Sequence, residues 1–380
     1  LQRSAELSWA LGETAGGARR LWSDRARLRA AYGSIARPAS LLALAPPSTG
    51  PGPAPAPGRP RPERTREAEL GADATYLGGR LDVALTGYDK LTKDGELPGP
   101  PSAASTFDTR LGQALDVQNR GVELRLGATL LRSARFRWDA GLAFAANRNR
   151  VRRVSTPMSL IGQGVLGFAF GALQKGLPLG ALQSSPIVGY ADRNGDGVIG
   201  ECQYDGAGGV SPPTCELTFA ASRRFGGTPY PTREGSLGSS LGVGRYVTLS
   251  GQLDYRGGVR LYNYPHLIGC LLESCREHND PSTSLGDQAR TAVHGELSPY
   301  LEDAGYVKLR EVAVTLRLPE RWMRPAGALT VTAAVHNIAT WTRYSGGDPE
   351  VAMNGSPLSG VDLFAQAQPR TLVLRAEIAM

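Results

Sequence analysis

The chain has 380 residues, of which 41% are hydrophobic and 20% charged, and its 42 basic and 35 acidic side chains leave a net charge of +7. Mean hydropathy is −0.23, and no apolar run reaches the ~18 residues of a membrane-spanning helix, which excludes a helical membrane protein but not a β-barrel. Arginines are spread along strand-like segments without a helix-turn-helix, finger or aromatic-basic platform, so no nucleic-acid partner is expected.

Period-two alternation begins almost at once, over Ser4 to Glu13 and again over Arg25 to Tyr32. Leu1 is not an initiator methionine, so the chain reads as a fragment whose export signal lies upstream. The stretch from Pro46 to Pro62 cannot lie inside a sheet, because proline lacks the ladder donor; it reads as a polyproline-like surface loop. Glu67 to Thr75 and Arg80 to Asp89 are strands joined by a tight turn at Leu77-Gly-Gly79.

The alternation is cleanest over Gly121 to Leu130. Val122, Leu124, Leu126, Ala128 and Leu130 share one face, with Glu123 and Arg125 on the other. Phe136 to Asn147 repeats it, with Phe136, Trp138, Leu142 and Phe144 opposite Arg137, Asp139 and Asn147. Residues 150–234 read as an irregular loop region, followed by strands over Gly235 to Val243 and Tyr246 to Leu261. A second long loop covers 262–303. Three strands then close the chain, over Tyr306 to Pro319, Leu329 to Ile338 and Thr371 to Met380, the last with Leu372, Leu374, Ala376 and Ile378 on one face.

These segments amount to roughly a dozen strands, most near the ~9–11 residues of a tilted bilayer-crossing strand. Short turns alternate with loops of several tens of residues, the asymmetry of outer-membrane barrels. The predicted fold is therefore all-β, one antiparallel transmembrane β-barrel domain over residues 1–380 with long extracellular loops. Lipid meets the leucine and valine rows, and Glu123, Arg125, Arg137 and Asp139 face a polar lumen.

Several short motifs occur together and in order: Arg61-Pro-Glu-Arg-Thr65, Asn119-Arg-Gly-Val-Glu-Leu124, Trp138-Asp-Ala-Gly-Leu142, Asp192-Arg-Asn-Gly-Asp-Gly-Val-Ile199, Tyr306-Val-Lys-Leu-Arg310 and Gly347-Asp-Pro-Glu350. Together they resemble the C-terminal half of SusC/RagA-type TonB-dependent outer-membrane transporters. The resemblance implies a barrel of about 22 strands, of which this chain is the C-terminal portion, blocked by a plug domain. It also implies a SusD-like surface lipoprotein over the mouth, the TonB complex acting through the missing N-terminal region, and glycan or peptide cargo. The chain departs from that family in lacking plug and TonB box and in ending on Met380, where an aromatic residue is usual.

No cofactor is required by this reading. Asp192, Asn194 and Asp196, with the Val198 carbonyl, have the spacing of a calcium loop, although position twelve is Gln203 where a bidentate Glu belongs. The competing reading is a glycine turn whose side chains cap their own backbone. Cys202 with Cys215 and Cys270 with Cys275 are disulfide candidates by proximity. His266, His278, His294 and His336 have no shared ligand spacing, and no nucleophile or phosphate-binding motif is present, so the protein is not expected to be an enzyme. Gly347 to Glu350 reads as a structural turn. Tyr204, Tyr230, Tyr262, Tyr264 and Tyr300 lie in the long loops, where exposed rings would stack on sugars. The function that follows is a share in nutrient import across the outer membrane. Its competitors are a secreted or periplasmic carbohydrate-binding sandwich and a non-functional gene remnant.

Overall fold

In the computed structural model, which describes residues 2–10, 24–38, 61–99, 110–154, 159–161, 171–184, 186–199, 216–220, 224–291, 298–319, 328–350 and 360–379, eleven strands form one antiparallel sheet. It begins with β1 (Gln2–Ala10), β2 (Arg25–Arg37), β3 (Glu63–Tyr76), β4 (Leu81–Gly99), β5 (Arg110–Arg132) and β6 (Phe136–Val154). Short strands of a loop layer follow: β7 (Ser159–Ile161), β8 (Gly171–Leu173), β9 (Leu182–Ser184), β10 (Ile187–Tyr190), β11 (Leu217–Phe219) and β12 (Arg224–Gly227). The wall resumes with β13 (Arg233–Val243) and β14 (Val247–Gly257). Next come β15 (Arg260–Asn263), helices α1 (Tyr264–Leu271), α2 (Arg276–Asn279) and α3 (Leu285–Thr291), and β16 (Leu301–Asp303). The chain finishes with β17 (Tyr306–Leu318), β18 (Ala328–Thr342), β19 (Val361–Asp362) and β20 (Thr371–Ala379). Wall strands pair in the order β1-β2-β3-β4-β5-β6-β13-β14-β17-β18-β20.

Register carries the alternation across the whole wall. Leu28, Ala72, Leu85, Leu124, Phe144, Gly235, Tyr255, Val307 and Trp341 form one cross-strand row. The neighbouring row, on the opposite face, runs Arg27, Asp73, Ala84, Arg125, Ala143, Ser236, Asp254 and Lys308. Among the described residues no second sheet covers the apolar face: Leu70 is 71% exposed, Leu372 77% and Leu374 74%. A sandwich would bury those residues between layers. A face of leucines without a protein partner calls for acyl chains as its solvent.

The limits of that apolar band are marked. Outward aromatics stand near the turn end at Trp9, Phe136 and Trp138 and near the loop end at Tyr32 and Trp341, all exposed. One row beyond Val122, the outward face changes to an Arg120–Asp89 ion pair at 2.7 Å. From Val122 to Leu130, β5 covers about 26 Å, or about 20 Å of height at a ~40° tilt, comparable to the ~25 Å apolar belt of outer-membrane barrels. The aromatic belt is thin, in keeping with 7% aromatic content.

Two sequence-based expectations need correction. Residues 150–234 are not irregular throughout: β6 continues to Val154, and β7 to β12 pair in short ladders. Residues 262–303 are not a plain loop but hold three helices. Asn263 starts α1 by accepting the His266 N–H on its Oδ1 at 3.1 Å, and Pro265 sits in the first turn, where no donor is needed. The loop layer has its own core of Leu182, Tyr262, Tyr264, Leu267, Tyr300 and Val361. Cys270 and Cys275 are joined as a disulfide that staples α1 to the segment before α2. Cys202 and Cys215 lie outside the described residues. Residues 46–60 of the Pro-rich stretch do too.

Candidate functional site: a charge clamp on the lumen face

Tyr306 begins β17, and strand alternation would give Lys308 and Arg310 the same face as Tyr306. A bulge at Arg310 displaces the register against both neighbours, so that Glu311, not Arg310, pairs with Gln252 of β14. The extra residue lets Arg310 join Lys308 on the inward side without sending Val312, Val314 and Leu316 away from lipid.

Both cations meet the loop that follows β18. The Lys308 Nζ lies 2.6 Å from Asp348 Oδ1 and 3.0 Å from Glu350 Oε2. Arg310 grips Glu350 with both terminal nitrogens, at 2.7 and 2.6 Å, and turns its Nε to Asp254 of β14 at 2.7 Å. Such two-pronged contacts add geometric specificity to charge. The Tyr306 hydroxyl donates to Glu350 Oε1 at 3.1 Å, and Arg256, Lys308 and Arg310 stand within 6.0 Å of its ring centre. Burial opposes the charge on Glu350, but Arg310 and Lys308 outweigh it and hold the carboxyl down at about 2. Asp348 also accepts the Glu350 N–H at 2.9 Å, which folds the turn onto itself. Gly347 to Glu350 is thus a structural turn, as its sequence predicts, and also supplies the carboxylates of the clamp. The one sequence signal for that second role was charged Lys308 and Arg310 alternating with Val307 and Leu309 in the first half of the strand.

A 390 Å³ cavity opens beside the clamp, lined among others by Glu123, Glu234, Asp254, Arg256, Tyr306 and Glu350. Glu123 and Arg125 therefore stand on the polar face, Glu123 at this cavity and Arg125 in a larger recess of 1120 Å³ near Arg27, Arg29 and Asp73. Asp73 takes both arginines at 2.8 Å. Arg137 and Asp139 share that face near the turn end, paired with each other at 2.7 Å. They are distant from the clamp along the wall.

The loop layer contains a second charged hub. His266 Nε2 is 3.3 Å from Glu277 of α2, and its Nδ1 is 3.6 Å from Glu302 of β16, beyond hydrogen-bond reach. The carboxylates of Glu302 and then Glu277 raise the imidazole above its ordinary value despite burial. Ser345, in the segment leading to the clamp, donates its N–H and hydroxyl to Glu302, each at 2.7 Å. His336 pairs with Glu311 at 3.2 Å on the wall. His294 and the side chain of His278 lie outside the described residues. Cys270 also lies near His266 and Glu277, but its sulfur is committed to the disulfide.

The remaining predicted positions fall elsewhere. In the Asp192 loop, Asp192 accepts from the backbone N–H groups of Gly195 and Gly197 at 2.7 and 2.9 Å. Asn194 caps Asp196, and Asp196 accepts the Val198 N–H. Tyr262, Tyr264 and Tyr300 are core residues of the loop layer, 1%, 5% and 1% exposed, so they do not present rings to a ligand. Their burial follows from the loops folding on one another, which periodicity does not show. Tyr230 is exposed and lines a cleft; Tyr204 lies outside the described residues.

Residues 4–338 match the family model described as TonB dependent receptor-like, beta-barrel. The chain belongs to that receptor family. TonB-dependent receptor P3 of Formosa agariphila is 25% identical over 317 residues, covering 75% of this chain and 30% of its own length. TonB-dependent receptor P26 of the same organism is 22% identical over 349 residues, covering 82% of this chain and 34% of its own length. The chain thus spans about a third of the curated receptors it matches. The RagAB peptide importer in its "closed-closed" state superposes with a TM-score of 0.70 at 17% identity, over 95% of this chain and 41% of that one. That likeness is one of fold, and it agrees with the SusC/RagA-type barrel expected from the motifs. The place of such a receptor barrel is the bacterial outer membrane.

Proposed function

We propose that this part of the receptor builds a section of the lumen wall and the extracellular loop layer of an importer for oligosaccharides, peptides or similar nutrients. The observation that carries this reading is the two-faced sheet: uncovered leucines on one side, and ion-paired arginines, carboxylates and cavities on the other. The clamp of Lys308 and Arg310 on Asp348 and Glu350 supports it, because it fastens the β18–β20 loop to the wall beside the polar cavity. A SusD-like lipoprotein seated on the loop layer and the TonB complex acting from upstream belong to the same proposal. The sandwich alternative requires a second layer over the leucine face, and no such layer stands among the described residues.

The test is uptake. A host deleted for the full-length receptor and supplied with peptide or oligosaccharide nutrients should lose import, regain it with the intact gene, and lose it again under a protonophore. Uptake that is indifferent to the deletion defeats the proposal. A calcium ion at Asp192, Asn194, Asp196 and Val198 is a subsidiary proposal. It rests on ligand spacing alone, and EDTA should then speed protease cleavage of that loop in the full-length receptor; an unchanged rate leaves only the self-capped turn.

A further inference from the structure

β6 outruns its partner. Its last pairing with β13 joins Ala146 to Arg233, yet β6 continues to Val154. Three backbone hydrogen bonds resume the ladder on that same edge. Asn147 donates its N–H to Thr232 at 2.9 Å, and further on Val151 donates to Leu177 at 2.8 Å and accepts from Gly176 at 2.8 Å. Between these anchors lies Asn149. In an antiparallel strand, residues two apart send their N–H and C=O to the same edge. Asn149 therefore points both groups where Asn147 and Val151 point theirs, and among the described residues no partner meets them.

What faces them is a cleft of 360 Å³. Leu177 and Pro178 close one end, Pro231 and Thr232 the other, and Phe225 and Tyr230 stand across from β6. Phe225 is 49% exposed and Tyr230 38%, so both rings offer open apolar surface. The strand is held firmly around the gap. Asn149 donates its side-chain amide to Asn119 at 2.8 Å and accepts the Leu179 N–H at 2.7 Å, and Arg150 donates its Nε to the Gly176 carbonyl at 3.0 Å. Beside it, Asn147 Oδ1 is buried without a hydrogen-bond partner.

We propose that this cleft is a peptide subsite, in which one residue of an extended cargo chain docks on the β6 edge and exchanges two backbone hydrogen bonds with Asn149. The inference rests on the import reading and names its cargo class at this position. The unmet pair has the spacing of a strand ladder and lies between the Asn147 N–H and Val151, whose bonds on this edge are already made, so an extended amide backbone completes it in register. Tyr230 and Phe225 cover the side chains flanking the docked residue, which gives tolerance of sequence. A glycan would satisfy the same two groups only with hydroxyls free of that register.

The experiment uses the full-length receptor in detergent. Its probes are a fluorescent serine–alanine repeat peptide, the same peptide N-methylated at every amide, and a neutral malto-oligosaccharide. The unmodified peptide should bind about tenfold more tightly than the methylated one, the worth of one good hydrogen bond. Asn149→Pro removes the strand's own N–H but keeps its carbonyl, so it should weaken both peptides alike by about tenfold and leave the discrimination, which reads the peptide's N–H, in place; Tyr230→Ala should also weaken both. Equal binding of the two peptides by the wild type overturns the proposal, as does displacement of the peptide by the malto-oligosaccharide, or undiminished peptide binding by Asn149→Pro. Should that variant fail to fold, judged by heat-modifiable gel mobility, the two peptides on the wild type still decide. Receptor-dependent uptake of nutrients in cells combined with no peptide binding would sink this subsite and leave the importer reading standing.

Discussion

The Lys308 ammonium touches Asp348 across forty residues of sequence, at 2.6 Å, with both side chains almost fully out of water. An ion pair that dry depends on completeness, because stripping one partner leaves a buried charge without its counterion.

Replacing Lys308 should therefore hurt more than its single position suggests. Lys308→Met leaves Asp348 and Glu350 facing each other, at a cost of about 3–5 kcal/mol. Adding Asp348→Asn should recover part of that loss. Thermal unfolding of the full-length receptor in detergent measures both; equal stability of Lys308→Met and wild type would contradict the clamp.

Acid should reach the clamp late. Glu350 ionises at about 2 in the folded protein against an ordinary 4.5, so its contribution is complete above pH 4.5 and lost as pH falls toward 2. Hydrogen exchange in residues 343–350 should stay slow at pH 4, and Arg310→Ala should make the same segment acid-sensitive near the ordinary carboxylate range. Early loss of protection in the wild type would show that the carboxylate is not held.

The loop layer should respond to pH in the opposite sense. His266 has its imidazolium favoured by Glu302 and Glu277, so the stabilisation is complete below pH 6.5 and lost as pH rises through the elevated folded value. Exchange in residues 264–280, corrected for intrinsic rates, should accelerate on the alkaline side of neutrality, and His266→Gln should flatten that profile. The same pH dependence in the variant would assign it elsewhere.

Outward positions should tolerate oil and not charge. Leu124→Arg places a guanidinium in the middle of the lipid-facing row and should cost about 2–4 kcal/mol, whereas Glu123→Arg, on the other face, should cost far less. Yield of heat-modifiable folded receptor separates the two; equal effects would mean that both faces share one environment.

Much of the wall was legible in the sequence because alternation is local. Val122, Leu124 and Leu126 against Glu123 and Arg125 need only the pleat to sort themselves, and the register then extends that sorting to Phe144, Tyr255 and Trp341. Helix α1 was missed: Asn263 followed by Pro265 is a start signal, but the loop-like composition around it hid it. What periodicity could not disclose was contact at a distance. The bulge at Arg310, which returns Val312, Val314 and Leu316 to the lipid side, interrupts the very rhythm used to assign faces, and Asp348 and Glu350 acquire their meaning only when a turn beyond β18 folds back on β17. Tyr262 and Tyr300 misled for a related reason: a loop layer large enough to bury its own core makes tyrosines structural that would be ligand contacts in an isolated loop. The cleft at Asn149 depends on where β13 stops pairing, which is a property of two strands and not of either.

Nitroxide labels placed one at a time from Val122 to Leu126 in the bilayer-reconstituted full-length receptor give the sharpest measurement. Oxygen, which concentrates in lipid, should relax labels at positions 122, 124 and 126, while a water-soluble nickel complex relaxes those at 123 and 125. Labels at 122, 124 and 126 shielded from both reagents would mean that the leucine rows pack against protein, and the barrel account would be wrong.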